Sequence, residues 1–349
     1  MAIDWTRGYT CEVRAYEVDR LTWADGARID HVTSVQVARD ANGDAPCLES
    51  GTLAVGLAPG HNFGERYVRV AMIARQAGVT ERVDVCTLLC TGEGGTVERG
   101  SDASRIKGRS VIWPASKTPV PAGAYAPAGS DGARVAARML ASSVAAPVSV
   151  EGGGFALEEP YVFDFGCTVL EAAWRLLRAG GHRIRIDGRG RVSVGPMPSR
   201  PSLTLDGVGA RLLHPGIEHA LEWSGVPNLY VAMDGDDVAE ATNDDPESPT
   251  STLSRGYVVG ITDSSPVRVD GETLQGYCER RLAEESLVPD RRTYSREWAD
   301  VWPCDVVLGG VRSVGLDGPM RVESQRVEVG AGVTVTETAA REVRLWQKG

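Results

Sequence analysis

Carboxylates are the residues of this chain whose types and spacing first invite chemistry. Asp234-Gly235-Asp236-Asp237 opens an acidic stretch, Asp234 to Glu247, that also holds Glu240, Asp244 and Asp245. Hard cations want several oxygen ligands close together, which is the calcium reading of such a segment. The rest of the EF-hand loop and its terminal glutamate are missing, so the expectation is a solvated acidic loop. Glu158, Glu159 and Asp164 could pair for glycoside hydrolysis, which needs two carboxyl groups roughly 5–10 Å apart. Any acidic chain offers such pairs. Of the seven cysteines only Cys86 and Cys90 lie close together. On a strand they would share a face with no further ligand nearby, so they read as small buried hydrophobes. The histidines His31, His61, His182, His214 and His219 fall in separate segments apart from the last two, which argues against zinc. Gly152-Gly153-Gly154 and Gly188-Arg189-Gly190 do not link a strand to a helix as a phosphate cradle does, and they read as turns. There is no Gly-x-Ser-x-Gly elbow, HExxH pair or Walker lysine. No catalytic, cofactor-binding or metal-ligating residue is assigned, no cofactor is expected, and the weight moves to a non-enzymatic, structural role.

The elements around these residues are mainly strands. From Thr10 to Pro114 the pattern has period two: Cys11, Val13 and Ala15, then Val35 and Val37, Leu53, Val55 and Leu57, Val68, Val70 and Met72, and Val83, Val85 and Leu89. Ser110 to Trp113 closes it, and Ala41-Asn42-Gly43-Asp44 and Pro59-Gly60 supply turns. Six or so short strands of this kind read as a sandwich or barrel. After a Pro-, Ala- and Gly-rich linker, Asp131 to Ser143 carries Val135, Ala136, Met139 and Leu140 at helical spacing. Gly166 to Pro196 then spells a helix and a hairpin. Thr168 and Glu171 form a capping box, Leu170, Ala173, Trp174 and Leu177 share a face, and Gly180-Gly181 ends the helix. Ile184 and Ile186 lead into the turn at Asp187 to Gly190. Strands resume after Pro201, interrupted by one helix over about 272–287 that carries Leu274, Tyr277, Cys278 and Leu282 until Pro289 stops it. The expected fold class is mainly β with an α/β insertion. Its expected domains are a first β domain over 1–114, a linker and small α/β domain over 115–201, and a second β domain over 202–349.

Length and charge narrow the class further. A chain of 349 residues exceeds one ordinary core, in line with two or three domains. No apolar run reaches the ~18–20 residues of a membrane helix, and Asp4 interrupts any leader, so a soluble chain made in the cytosol without membrane insertion is expected. Net charge is −10, and only Lys107, Lys117 and Lys348 of the 37 basic residues are lysine. So acidic a surface should repel a duplex rather than grip it.

Particular phrases in this order of domains resemble the tail-hub proteins of bacteriophages and related contractile injection machines. They are Ile29 to Asp40 followed by Leu48-Glu49-Ser50-Gly51, the Leu170 to Pro196 helix and hairpin, Val226 to Val231, Arg255 to Leu287, and the long C-terminal strands. The resemblance implies two tube-like barrels flanking the α/β segment. It also implies a homotrimer whose six barrels adapt a sixfold tail tube to a threefold tail tip or baseplate. Expected partners are a tail tube or distal tail protein, a tape-measure protein, and tip spike or fibre proteins. DNA passes the lumen without specific binding, past a wall that is acidic if part of the trimer's charge, three times −10, faces inward. Ending at Gly349 after its last strand, the chain is expected to leave cell-wall cleavage to a separate protein. The expected location is the virion tail tip, with assembly in the host cytoplasm. Two rivals remain: an adhesin-like, carbohydrate-binding β protein using Trp5, Trp23 or Trp302 as stacking platforms, and a glycoside hydrolase using acidic pairs.

Overall fold

The protein is described here from a computed structural model, over residues 3–5, 7–41, 48–56, 64–91, 104–157, 160–164, 166–206, 212–213, 216–264, 266, 272–312 and 315–346. The turns expected at Asn42 to Asp44 and at Pro59-Gly60, together with Cys47, His61, Glu158, Glu159 and His214, lie outside these residues.

The period-two segments at the N-terminal end form seven strands, β1 (Thr10–Val18), β2 (Asp25–Ile29), β3 (Val32–Asp40), β4 (Leu48–Val55), β5 (Arg66–Gln76), β6 (Val79–Cys90) and β7 (Ser104–Ser110). They pair in the order β3-β4-β7-β6-β5-β1-β2. Strand β2 was missed because its five residues are half-buried or exposed and show no alternation. The closing strand ends at Ser110. Trp113–Ser116 is instead a 3₁₀ turn, since Pro114 lacks the N–H a ladder needs. Inward positions such as Val13, Val35, Val37, Leu53, Val70, Met72 and Leu88 make one buried core. Burying each such side chain contributes about 1.5–3 kcal/mol.

The α/β segment follows with β8 (Tyr125–Ala126), α1 (Gly132–Ala141), β9 (Val148–Val150), β10 (Tyr161–Val162), α2 (Val169–Ala179), β11 (His182–Ile186) and β12 (Val192–Pro196). The capping box is present: Glu171 N–H donates to Thr168 Oγ1 at 3.3 Å and Thr168 N–H donates to Glu171 Oε2 at 2.8 Å. Asp131 caps α1 by accepting from Ala133 N–H at 3.0 Å. Gly181, at φ +64°, turns the chain out of α2. Strand β12 pairs antiparallel with β11 and parallel with β9. The apolar faces of α1 and α2 close over this small sheet, and the same cluster takes in Trp23 from the turn between β1 and β2 and Tyr67 from β5.

The glycine-rich turn between β11 and β12 explains that shared core. Trp23 Nε1 and the Arg69 guanidinium donate to Arg189 O at 2.8 and 2.9 Å, and Thr87 Oγ1 donates to Gly188 O at 3.1 Å. A Cβ at Gly188 would lie 1.7 Å from the Asp84 carbonyl oxygen. The turn therefore needs glycine for close approach of two backbones.

The remaining elements are β13 (Pro201–Leu205), β14 (Glu218–Leu221), β15 (Leu229–Asp234), β16 (Asp237–Thr242), α3 (Thr252–Arg255), β17 (Gly260–Asp263), α4 (Leu274–Glu285), β18 (Leu287–Arg296), β19 (Val306–Val311), β20 (Leu316–Val329) and β21 (Val333–Arg344). The helix expected over 272–287 is α4, capped by Thr273. It stops at Ser286, before Pro289, which sits inside β18. Alternation from Leu287 onward ends the helix, and proline does not.

Contacts group the chain into two compact units, Met1–Ile217 with Thr293–Ala339, and Glu218–Arg292 with Ala340–Gly349. Within the larger unit β20 pairs with β3, with Gln325 opposite Arg39. In the smaller unit β15 pairs with β16 and β17, and α4 packs Tyr277, Cys278 and Leu282 on Tyr230, Ala232 and Ala241. Among the described residues no helix is long and apolar enough to cross a membrane.

Gly188→Ala should lower stability by about 1–3 kcal/mol through overpacking against backbone. Gly153→Ala, where a Cβ meets nothing within 4 Å, should stay within about 0.5 kcal/mol. Chemical denaturation of the two variants beside the parent chain compares them, and equal midpoints would contradict the docking of the turn.

Candidate functional site

Among the described residues, the carboxylates singled out from the sequence do not converge. Asp164 forms an ion pair with Arg175 on α2. The acidic stretch is not one loop. Asp234 and Asp237 face each other across the tight turn of the β15–β16 hairpin. Beyond it Asn243 is buried, donating to Ser248 Oγ at 2.9 Å and Thr250 Oγ1 at 3.3 Å. Among the described residues no group of three His, Cys, Asp or Glu side chains could hold a metal. Cys86 and Cys90 are buried, and burial pushes the Cys90 thiol up to about 12. Such thiols stay protonated and unreactive. His219 leans on the buried Asp290 carboxylate at 2.9 Å, which also takes Arg341 at 3.1 Å. Of the proposed stacking platforms, Trp23 and Trp302 are buried, and Trp5 packs edge-on against Tyr9 beside the first core.

What the larger unit does bring together is a row of buried polar groups. Across β4, β3 and β20, Glu49, Arg39 and Gln325 stand opposite one another in register. Arg39 Nε donates to Glu49 Oε1 and its Nη1 to Gln325 Oε1, both at 2.6 Å, while its third arm reaches Val85 O. The guanidinium also lies 3.9 Å from the Trp302 ring centroid. Gln325 Nε2 donates to Val301 O at 2.8 Å and to Glu337 Oε1 at 2.7 Å. Glu337, on β21, accepts from Arg296 on β18 at 2.8 and 2.5 Å and from Tyr294 Oη at 3.1 Å. Burial raises the Glu49 carboxyl above its usual range in spite of Arg39, and its Oε2 has no hydrogen-bond partner among the described residues.

The row marks a divide between two cores. Along β20, Val327 and Val329 belong to the core of β1 to β7, while Met320 and Val322 belong to a second core with Leu205, Val307 and Leu316. Along β21, Val333 and Val335 fall on one side of Glu337 and Ala339 on the other. Arg296 likewise separates Trp298 from Tyr294. Sequence reasoning missed these residues, although a charged group at an inward phase of Val333-x-Val335-x-Glu337-x-Ala339 was the available signal.

On the opposite face these strands and β7 show mostly polar and charged side chains in rows. Glu328, Gln36, Thr52 and Lys107 lie opposite one another across β20, β3, β4 and β7, as do Arg326, Ala38, Ser50 and Arg109. A groove of about 660 Å³ runs over the first of these rows, lined by Arg105, Lys107, Glu328 and the Gly330–Gly332 turn.

Solved structures share this architecture from end to end. The tail protein of Neisseria meningitidis MC58 superimposes with a TM-score of 0.62 at 15% identity, over 96% of this chain and 97% of that one. The 43 kDa tail protein of prophage MuSo2 from Shewanella oneidensis gives 0.60 at 13% identity, over 95% and 98%. Prophage tail protein gp18 from Listeria monocytogenes EGD-e gives 0.50 at 9% identity, over 94% of each chain. No family profile and no curated protein sequence matches the chain. At these identities the likeness is one of fold: the chain has the mainly β fold of phage and prophage tail proteins, the group to which the resemblance in its sequence pointed.

Glu337→Ala leaves the Arg296 guanidinium buried without its partner and should cost about 3–5 kcal/mol. Thr338→Ala, one residue on, loses only a hydroxyl contact to Thr293 at 2.9 Å and should cost under about 1 kcal/mol by denaturant titration. A second prediction concerns acid. The Arg14 guanidinium, joined by Arg75, holds the Glu12 carboxyl at about 2 against an ordinary 4.5. A depressed folded value stabilises above the unfolded one and is lost as pH falls through the folded one. The melting-temperature gap between the parent chain and Glu12→Gln should therefore be present at neutral pH and close between about 4.5 and about 2. A gap independent of pH would refute the pairing.

Proposed function

We propose that this chain is a structural component of a phage or prophage-type tail, a homotrimeric hub placed at the tail tip or baseplate. In this reading β1 to β7 and the group β13 with β18 to β21 are the two tube-like halves of one protomer, carried by segments 1–114 and 202–349 around the α/β segment 115–201. The observation that carries it is the pairing of β3 with β20, which fuses sheets over two separate cores edge to edge. Three such protomers would place six barrel-like units around one axis, the geometry needed to meet a sixfold tube from a threefold base. Ring closure would also pair strand edges that otherwise invite aggregation. The end-to-end likeness in fold to phage tail proteins supports the same assignment.

The partners that follow are the tail tube or distal tail protein above, the tape-measure protein and genome passing through, and a tip spike or fibre protein below. No enzymatic role is proposed. Native mass measurement of the purified chain should give a particle of about 112 kDa, three times the 37.2 kDa protomer, and electron microscopy should show a central opening. A chain that stays monomeric at micromolar concentration, alone and with its tail-tube partner, would overturn the hub.

A further inference from the structure

We propose that two strand edges of this chain dock on each other between copies, the β15–β16 hairpin of one copy lying along β9 of the next, in the groove beside α1. That groove, of about 600 Å³, is lined by Arg134, Ala137, Arg138 and Ala141 of α1 and by Val148 and Val150 of β9. Strand β9 pairs with β12 alone. Val192 N–H donates to Pro147 O and Glu151 N–H to Val194 O, both at 2.8 Å, so alternate residues of this stretch face β12. The N–H and C=O groups of Val148 and Val150 therefore point to the open edge, and they have no partner among the described residues. An edge of this kind accepts an added strand. The small side chains of Ala137 and Ala141 leave room for one against the helix.

The hairpin supplies the complement. Strand β16 is the edge of its own sheet and pairs with β15 alone. Asp234 and Asp237 close a two-residue turn, so Asp237 and Ala239 bond to β15 and Val238 presents its N–H and C=O outward. The Val238 side chain is 62% exposed and that of Met233, opposite it, 41%. This open apolar pair matches the alanine and valine lining of the groove. Charge matches too. The carboxylates of Asp236 and Glu240 are exposed and have no partner among the described residues. In the groove Arg138 is likewise exposed and unpaired, and Arg134, with its side chain 77% exposed, holds only its own helix cap, Asp131, at 3.3 Å. Val238 and Glu240 share a face of β16 about 6.8 Å apart, and Arg134 and Arg138 stand about 6 Å apart along α1. A hairpin that lays Val238 on the alanines therefore brings Glu240 beside an arginine. Two different surfaces of one chain that fit each other make a head-to-tail contact, and such contacts close into rings. The inference deepens the homotrimeric reading above and rests on it for the number of copies.

Native mass measurement of the full chain across a dilution series tests this, with far-ultraviolet circular dichroism as the check on folding. Arg134→Glu with Arg138→Glu should raise the concentration at which copies separate at least tenfold, and so should Asp236→Arg with Glu240→Arg, both with an unchanged spectrum. The chain carrying all four changes should regain the self-association of the parent, because its charges are exchanged and still opposed. Val150→Pro removes one outward N–H, leaves the ladder to β12 intact and should weaken association severalfold. Arg200→Glu, an exposed cation away from the groove, should change nothing. Trimers that persist in both charge pairs, or a fourfold variant that is not rescued, would overturn the contact and leave the hub standing. Charge-dependent dimers or open chains in place of trimers would support the contact and overturn the hub. A parent chain that stays monomeric throughout would overturn both.

Discussion

The structure of the larger unit depends on a buried amide, Gln325, being satisfied from both sides. Its oxygen accepts from Arg39 and its nitrogen serves Glu337, so one side chain links the ion pair Arg39–Glu49 to the ion pair Arg296–Glu337 across five strands. Buried ion pairs are weak evidence for stability, because well-packed apolar groups of similar volume often do as well or better. What such a row supplies is register. Side chains alternate across a strand, so a slip of one residue between β3 and β20 would turn Gln325 away from Arg39 and break the amide link between the two ion pairs. Apolar replacements would tolerate more than one alignment of β20, whose valines are nearly interchangeable.

That lock lets long strands serve two cores. Strands β20 and β21 each carry apolar groups into both clusters, and in β20 the inward positions step by three between Val322 and Gln325 where two is the rule. An extra residue of this kind bends and twists a strand, as a bulge does. A second tie holds the α/β segment in place: Arg183 on β11 meets Asp305 at 2.8 Å, both buried, just before β19. The glycine turn at Gly188 is a third. All three are long-range polar or backbone contacts placed around apolar cores that alone would not specify their mutual arrangement.

The parts legible in the sequence were those determined locally. The capping box at Thr168 and Glu171, the glycine stop at Gly181 and the hairpin after Ile186 each depend on neighbours within a few residues, and each is present as written. Strand β16 and the stop of α4 were harder, because acidic residues obscure a two-residue hairpin and alternation begins before Pro289 supplies its signal. The partner of β20 was not legible at all. Period two says which face of a strand is buried, but not which of two cores receives it, and Gln325 and Arg39 stand 286 positions apart. The buried row was hidden for a related reason: charged residues are expected outside, and only their phase among Val327, Val335 and Ala339 shows that they point in.

The two faces of the fused sheet are physically one decision. Pairing Gln325 with Arg39 on the inner face also sets Arg326 opposite Ala38 and Glu328 opposite Gln36 on the outer one. The order of side chains on the outer face is thus a consequence of the register that the inner row enforces, and it requires no separate device. The division of labour follows from chemistry. Inside, where desolvation is costly, each charge is matched by a partner at hydrogen-bond distance. Outside, where water screens, the exposed charges of these rows stand at little cost to folding. Strand register is thus the one variable that positions both the buried row and the outer face of this sheet.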